Sequence, residues 1–237
     1  MQQSNFDDFA KDWWDSNGSM RMLHSMHKTR MLFILERIKN RFKNFSDLKT
    51  IFKNKTVLDL GCGGGLLAES LCQKEANVVA IDSSLDLIKM ANKRAEKKGL
   101  KIDYQNITIE TLIKKQLKFD IVISLEVIEH VEDYKKFLQD IFHVLKPKGL
   151  IILSTINRNY FSYITTILFA EKILKLVPDG VHDWKYYVKP IEVLEVGKKS
   201  NIILDKISGL TPIPSLNGFQ WIRTNNSYGN YIISLKN

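Results

Sequence analysis

Cysteine is scarce in this sequence. Only Cys62 and Cys72 occur among 237 residues, which is too few for the disulfide framework of a small secreted scaffold. The two cysteines also lack the spacing of zinc ligands. We therefore expect two reduced thiols in an intracellular protein.

Long hydrophobic runs are missing as well. No stretch of about 18 uncharged apolar residues occurs, so no segment is expected to span a membrane. The first residues, MQQSNFDDFAKDWWD, have neither a signal-peptide nor a transit-peptide pattern. We expect a cytoplasmic protein whose contact with a membrane, if it makes one, is peripheral.

The charge of the chain is not balanced. Basic residues number 35 and acidic residues 26, which gives a formal net charge of +9. Such an excess suits nucleic acid, an anionic membrane or an acidic substrate, and equally a surface of solvated lysines. Composition alone leaves these alternatives open.

The most informative stretch runs from Thr56 to Asp82. A short apolar strand leads into a glycine turn at 61–65, which is followed by a helix at 66–74 and a second strand at 78–81. This strand-turn-helix-strand unit is typical of nucleotide binding. Glycines let a ligand approach the backbone closely, and an acid after the second strand suits a ribose diol.

The spacing of the glycines indicates which nucleotide is bound. A dinucleotide fingerprint places glycine at the sixth position of the turn, where this chain has Leu66. The spacing Asp59-x-Gly61-x-Gly63-x-Gly65 instead resembles the first motif of class I S-adenosylmethionine (SAM) methyltransferases. A dehydrogenase, or a turn that only joins strand to helix, are the alternatives.

Strands and helices alternate through the first two thirds of the chain. Strands are predicted at 56–60, 78–81, 102–104, 119–125 and 150–154. Helices are predicted at 66–74 and 134–145, and a further helix is capped within 83–86, runs to Lys98 and is closed by Gly99. This alternation predicts an α/β fold with a mostly parallel sheet and helices on both faces, which binds ligands at the carboxyl ends of its strands. The residues expected at that edge are Gly61, Asp82, Asn106, Leu125 and Asn157.

Two helices are predicted before the first strand. The first covers residues 6–15, and the second runs from Arg30 to Phe42 with Thr29 as its N-cap. Because they precede the glycine turn, they could form a helical lid over the nucleotide site or simply belong to the core.

The C-terminal third is less regular. A turn is predicted at 146–149, before the fifth strand, and a helix at 190–200, well beyond that strand. Terminal strands at 202–207 and 231–235 are expected to be joined by a loop rich in glycine, asparagine and proline.

Two acids and a histidine follow the fourth strand at Glu126, Glu129 and His130. If Glu126 opens a helical turn, the other two return to its side at i+3 and i+4. The three could then bind a divalent cation or supply a general base. Alternatively, Glu129 and His130 only orient the turn and Glu126 faces solvent.

Motifs along nearly the whole chain resemble one family. They are Trp13-Trp14-Asp15, Leu23-His24, Arg30, the glycine motif at 59–65, and the segments 126–131, 154–159, 180–184 and 189–190. With these motifs the chain resembles the O-methyltransferases of ubiquinone biosynthesis, which include a mitochondrial counterpart. It departs at Lys28-Thr29, where the family usually has Asn-Pro, and at Leu125, where methionine is commoner.

The resemblance implies an activity and assigns residues to it. SAM would be the methyl donor, with cofactor contacts from Arg30, Gly61, Asp82 and Leu125. The acceptors would be polyprenylated catechols, 2-polyprenyl-6-hydroxyphenol and 3-demethylubiquinol, methylated on oxygen. The cluster at 126–130 would be a Mg²⁺ site, as in the mitochondrial relatives, or would contain the base, with His130 as the first candidate.

Other functions fit parts of the sequence. One is a class I methyltransferase for another lipid-soluble acceptor, and another is a lipid-surface binding module with a vestigial cofactor pocket. The intact Asp59, Gly61, Gly63 and Asp82 argue against the second. A nucleic-acid methyltransferase would explain the charge, but residues 125–128 are not the Pro-Pro-aromatic element that holds a flipped base, so no nucleic-acid partner is expected.

The segment Tyr160–Val177 interrupts the alternation and is mostly apolar. Because a polyprenyl tail resides in the bilayer, we expect this helix to lie in the membrane interface and to contact anionic lipids on the inner face of the cell membrane. A helix buried against the sheet is the alternative. Other proteins of ubiquinone biosynthesis are further candidate partners.

We therefore expect one domain over residues 1–237. Its parts would be an N-terminal helical cover (1–50), a cofactor-binding core (51–157), an insertion for membrane and substrate (158–190), and a C-terminal helix with strands (191–237).

Overall fold

Eight strands of mainly branched apolar residues form one sheet in the described part of the chain. The computed structural model describes residues 12–15, 18, 20–42, 47, 50–165, 183–215 and 218–237. The strands are β1 (Thr56–Leu60), β2 (Asn77–Ile81), β3 (Asp103–Gln105), β4 (Phe119–Leu125), β5 (Leu145–Ile156), β6 (Ile203–Ser215), β7 (Gly218–Thr224) and β8 (Asn230–Lys236).

Helices connect most of these strands. They are α1 (Arg21–Arg41), α2 (Leu66–Cys72), α3 (Leu85–Lys98), α4 (Ile109–Lys114), α5 (Tyr134–His143), α6 (Tyr160–Ser162) and α7 (Pro190–Lys199), with 3₁₀ turns at Ile128–His130 and Trp184–Tyr186.

The sheet is parallel on one side and antiparallel on the other. The strand order is β3-β2-β1-β4-β5-β8-β6-β7. The strands from β3 to β5 pair in parallel, whereas β5–β8, β8–β6 and β6–β7 are antiparallel. The order places β1 between β2 and β4, so the carboxyl ends of these three strands are neighbours.

Both faces of the sheet are covered by helices. On one face α1, α2 and α3 contribute buried residues such as Phe33, Leu71 and Ala91. On the other face α4, α5 and α7 contribute residues such as Leu112 and Leu138. The predicted α/β fold, with a mostly parallel sheet covered on both faces, is confirmed.

Local capping signals fix several helix ends. The Ser84 hydroxyl accepts a hydrogen bond from Leu87 N at 3.2 Å at the start of α3. Gly99 ends that helix in the left-handed region at φ +64°. Asp133 caps α5 by accepting from the backbone N–H groups of Lys135 and Lys136. These are the ends that the sequence predicts best.

The prediction that a helix begins after Thr29 is wrong. Helix α1 begins at Arg21, and Thr29 lies buried inside it. Its hydroxyl donates to Trp221 O on β7 at 2.7 Å. The threonine therefore serves a tertiary contact with a distant strand, which local sequence does not reveal.

Three other segments differ from the predictions. The predicted turn at 146–149 lies within β5, where Lys148 has φ +60° and the pairing with β4 shifts register. The predicted loop between the last two strands is wrong, because β6 extends to Ser215 and β7 follows it. Helix α4 lies between β3 and β4, where no helix was predicted.

Two predicted helices lie largely outside the described residues. Residues 1–11 and 166–182 are not described, so most of the helix at 6–15 and most of Tyr160–Val177 cannot be compared with the structure, nor can Gly180, Val181 and His182. None of the helices in the described ranges is long and apolar enough to cross a membrane.

Candidate active site

The glycine turn doubles back over the end of β2. The backbone N–H groups of Gly61 and Cys62 both donate to Ile81 O, at 2.9 and 3.0 Å. This places the turn beside Asp82, which directly follows β2. Two predicted parts of the nucleotide site, the glycine turn and Asp82, therefore lie side by side.

The glycines of the turn leave space that side chains from other parts of the protein occupy. Gly61, Gly63 and Gly65 have φ values of +77°, +52° and +89°, a region that other residues rarely adopt. A Cβ on Gly61 would lie 2.3 Å from Val127 Cγ2, and one on Gly63 would lie 2.4 Å from Trp13 Cη2. The sequence suggested that a ligand approaches these glycines, whereas on the Cβ side protein side chains fill the space.

Asp82 is held in place at the edge of the sheet. Its Oδ2 accepts from Gly63 N at 2.8 Å and its Oδ1 from Ser84 N at 2.9 Å. Asn106 Nδ2 donates to the backbone oxygen of Asp82 at 2.9 Å. The predicted residues Gly63, Asp82 and Asn106 are thus assembled around one half-buried carboxylate.

Asp59 lies beneath the turn. It is fully buried, and burial together with the charge of Asp82 raises the pKa of its carboxyl to about 8, although a hydrogen bond from Ala68 N favours the charged form. Its Oδ2 has no hydrogen-bond partner among the described residues. Asp59 is therefore a buried acid that remains largely protonated at neutral pH.

Buried polar atoms without partners are concentrated at this edge. Of the described side chains, such atoms are Trp13 Nε1, Arg30 Nε, Arg37 Nε, Asp59 Oδ2 and Tyr104 Oη. All except Arg37 belong to residues beside the turn or the end of β4. Because a buried polar group without a partner is costly, this concentration fits a site that a polar ligand completes.

Glu126 follows β4 and contacts side chains from α1, β5 and β8. It has φ +56°, and its Oε1 receives Arg30 Nη2 from α1 at 2.9 Å and the Ser154 hydroxyl at 2.6 Å. Asn230 Nδ2 donates to Oε2 at 3.3 Å. Glu126 therefore does not face solvent, and its carboxylate is paired with a buried guanidinium.

Glu129 is buried next to Glu126. It accepts a hydrogen bond from the Thr155 hydroxyl at 2.8 Å. Burial, with a contribution from the charge of Glu126, raises the pKa of Glu129 to about 8. His130 is the last residue of the 3₁₀ turn and is half-buried, and its backbone N–H donates to Val127 O.

The predicted helical face is not formed. Because Glu126 is in left-handed backbone and the 3₁₀ turn begins only at Ile128, the i+3 and i+4 argument for Glu129 and His130 does not apply. In the described ranges no three His, Cys, Asp or Glu side chains are arranged to hold a metal ion. With Glu126 paired to Arg30 and the pKa of Glu129 raised, the three side chains do not fit Mg²⁺ in this conformation.

Leu125 lies half-buried at the end of β4, paired with Ser154 of β5. Sequence reasoning gave no role to Ser154, Thr155 or Asn230. The first two stand in a segment that carried the resemblance, so a signal was present. No local signal marks Asn230, because its position depends on the pairing of β8 with β5.

A patch of mostly aromatic side chains, exposed except for the half-buried Trp184, borders this edge, and we call it the aromatic rim. It consists of Tyr160, Phe161, Tyr163, Ile164, Trp184 and Tyr228. Tyr160 and Tyr163 pack on the Trp184 ring, at centroid distances of 6.4 and 6.3 Å. Asn159 ties the rim together, since it accepts from Trp184 Nε1 through its backbone oxygen and donates to Tyr228 O.

Sequence comparisons identify close relatives. A family model described as a methyltransferase domain matches residues 51–205. The chain is 40% identical to a ubiquinone biosynthesis O-methyltransferase of Pelagibacter ubique, covering 96% of this chain and 93% of the relative. Proteins of the same name from Rickettsia prowazekii and Coxiella burnetii are each 37% identical, covering 98% and 92% of this chain and 88% of each relative.

Solved structures show the same fold. Magnesium protoporphyrin IX methyltransferase from Synechocystis PCC 6803, with bound SAH, matches with a TM-score of 0.68 at 18% identity, covering 99% of this chain and 94% of that one. A SAM-dependent methyltransferase from Clostridium acetobutylicum matches with a TM-score of 0.67 at 17% identity, covering 98% and 99%. These likenesses are evidence for a class I methyltransferase fold.

Proposed function

The chain belongs to the ubiquinone biosynthesis O-methyltransferases, and we propose that it methylates a catechol hydroxyl of polyprenylated intermediates at the carboxyl edge of its sheet. It is a SAM-dependent O-methyltransferase. The acceptors we propose are 2-polyprenyl-6-hydroxyphenol and 3-demethylubiquinol. One observation carries the proposal: the Gly63–Asp82 contact and the Arg30–Glu126–Glu129 group stand at neighbouring strand ends.

The donor site is assigned to the glycine turn. The fixed Asp82 carboxylate suits the two ribose hydroxyls of SAM, and the unpartnered Nε of Arg30 suits a carboxylate. Gly61 and Gly63 supply backbone and Leu125 an apolar contact, while Asn106 and Asp59 support Asp82 and the turn. When bound, SAM supplies an electrophilic methyl group on sulfur.

The acceptor site is assigned to the end of β4 and the following turn. A phenolic oxygen has a pKa near 10, so its proton must be removed for transfer to be fast. We assign the base to His130, with the buried Glu129 beside it. Glu126 holds Arg30, and so connects the donor residues to the acceptor residues.

We expect His130→Ala to reduce kcat by about 100-fold, the lower range for loss of a general base. Its affinity for S-adenosylhomocysteine should stay within a few-fold, because the donor residues are untouched. A steady-state assay with calorimetry separates the two effects. An unchanged kcat would show that His130 is not the general base.

Membrane contact is part of the proposal. Apart from Ile164, the aromatic rim consists of Tyr, Trp and Phe side chains, the kind that settle at membrane interfaces. It lies where Tyr160–Val177 begins, so a prenyl tail could pass from the bilayer to the acceptor site. We therefore assign a peripheral position on anionic lipid at the cytoplasmic face.

The activity is tested with purified protein, methyl-labelled SAM and a catechol carrying a short prenyl chain. A methoxyphenol identified by mass spectrometry is the expected product, with a rate that a chelator leaves largely unchanged. A catechol without the prenyl chain and a nucleic-acid pool are the comparison acceptors. Label in the nucleic acid, or equal rates with and without the prenyl chain, would contradict the proposed substrates.

A further inference from the structure

Trp13 packs directly on the glycine turn. A Cβ on Gly64 would lie 2.3 Å from Trp13 Cδ1, and one on Gly63 would lie 2.4 Å from Trp13 Cη2. The five-membered ring therefore lies against one glycine and the six-membered ring against the other. The indole is 7% exposed although it stands near the N-terminal end of the described chain.

Polar contacts hold this tryptophan in place. The neighbouring Trp14 donates from Nε1 to Gly64 O at 3.1 Å. The Arg94 guanidinium lies 3.5 Å from the centroid of the Trp14 ring, and Arg94 is itself fixed by Glu69 at 2.8 Å. His24 Nε2 donates to the backbone oxygen of Trp13 at 2.7 Å. The segment is thus anchored to α1, to the glycine turn and to α3.

These contacts are separate from the main core. Trp13 forms a small apolar cluster with Met20 and Leu87, apart from the clusters on the two faces of the sheet. Its removal is therefore expected to leave the sheet and its helices folded.

Trp13 also carries a donor that the protein does not use. Its Nε1 is buried and has no hydrogen-bond partner among the described residues. Tyrosine and tryptophan polar atoms usually find a partner when buried. An unsatisfied N–H beside Gly64 therefore points to a ligand at the turn.

We propose that Trp13 forms a wall of the donor pocket beside the glycine turn and offers its unpartnered Nε1 N–H to bound SAM or S-adenosylhomocysteine, with Trp14 and Arg94 holding the segment in place. This rests on the donor site proposed above. Trp13 would contribute to affinity and slow the release of the product. Trp14 would act through Trp13 as a positioning residue.

Calorimetry with S-adenosylhomocysteine tests the proposal on the full chain. Trp13→Ala should weaken binding about tenfold, which corresponds to about 1.4 kcal/mol, and should speed dissociation in stopped-flow measurements. Trp13→Phe, which keeps an aromatic ring but loses the N–H, should lose less. Trp14→Ala should mainly raise the dissociation rate. Circular dichroism and thermal unfolding verify that each variant is folded.

Trp221→Phe is the matched control, because Trp221 is equally buried but lies on β7. It should bind S-adenosylhomocysteine as the wild type does, and an equal loss there would overturn the proposal. Asp82→Ala separates the two inferences. If Asp82→Ala loses affinity while Trp13→Ala does not, Trp13 is not part of the donor pocket, and the assignment of the donor site to the glycine turn is retained. If Asp82→Ala binds normally, the donor site itself is misplaced and the wall with it.

Discussion

The contact between Arg30 and Glu126 is the residue-scale link between the two halves of the proposed site. Both side chains are nearly buried and lie 2.9 Å apart. Removing one charge of such a pair leaves the other buried without compensation, which costs far more than breaking a surface pair.

We expect Glu126→Gln to lower the free energy of unfolding by about 3 kcal/mol, because Arg30 keeps its charge and loses its partner. Glu110→Gln is the matched control, since Glu110 pairs with Lys136 where both side chains are about half exposed. That change should cost less than about 1 kcal/mol. Urea unfolding measures both variants. Equal losses of unfolding free energy in the two variants would show that Arg30 does not depend on Glu126 to compensate its buried charge.

The buried Asp59 links stability to pH. Its pKa is about 8 in the folded protein and near 4 in an unfolded chain. Between these values the folded protein holds a proton that the unfolded chain has released. The stabilisation from this proton is complete below about pH 4 and is lost as the pH rises toward 8.

The ligand-free protein should therefore lose about 1.4 kcal/mol of stability per pH unit through Asp59 between about pH 5 and pH 8. Asp59→Asn should remove this part of the slope, because the amide cannot ionise. Asp103→Asn, at an exposed acid on β3, should leave the slope unchanged. Urea unfolding across this pH range decides the matter. Glu129, whose pKa is also raised to about 8, contributes a slope of its own to both proteins. A slope in Asp59→Asn as steep as in the wild type would mean that Asp59 is ionised in the folded protein.

At the scale of elements, sequence predicts what local signals determine. Strands β1 to β4 and helix α3 lie close to their predicted positions, since apolar runs and caps such as Ser84 and Gly99 are local. Helix α1 contacts β7 through the hydrogen bond between Thr29 and Trp221, so the role of Thr29 is not determined by its neighbours in sequence. Contacts so far apart along the chain leave no local pattern.

The candidate site divides in the same way. Gly61, Gly63, Asp82 and Asn106 could be placed together because parallel strands end at one edge. The partners of Glu126 could not, because they depend on how β8 pairs with β5 and where α1 packs. The glycine turn can be located from sequence, whereas the packing of Trp13 on it cannot, because the two are far apart along the chain.

At the scale of the whole molecule, net charge and exposed apolar side chains act over different distances. The net charge is +9, which attracts the protein to an anionic surface from a distance, although salt screens that attraction. The aromatic rim offers apolar side chains at close range, with Tyr160 82% exposed and Phe161 58% exposed. In the proposed membrane contact, the charge would draw the protein to the lipid, and the rim would determine which face of the molecule meets it.

We expect the protein to co-sediment with phosphatidylglycerol or cardiolipin liposomes, and less so as salt rises. Phe161→Glu with Ile164→Glu should largely abolish binding, because two exposed apolar contacts become charges that the lipid repels. Ile203→Glu with Leu204→Glu makes the same change in charge at comparably exposed apolar residues, but near the opposite edge of the sheet. That control should bind the liposomes only slightly less than the wild type, by the amount that follows from its lower net charge. Equal losses in the two double variants would mean that charge alone holds the protein to lipid and that the rim is not the contact.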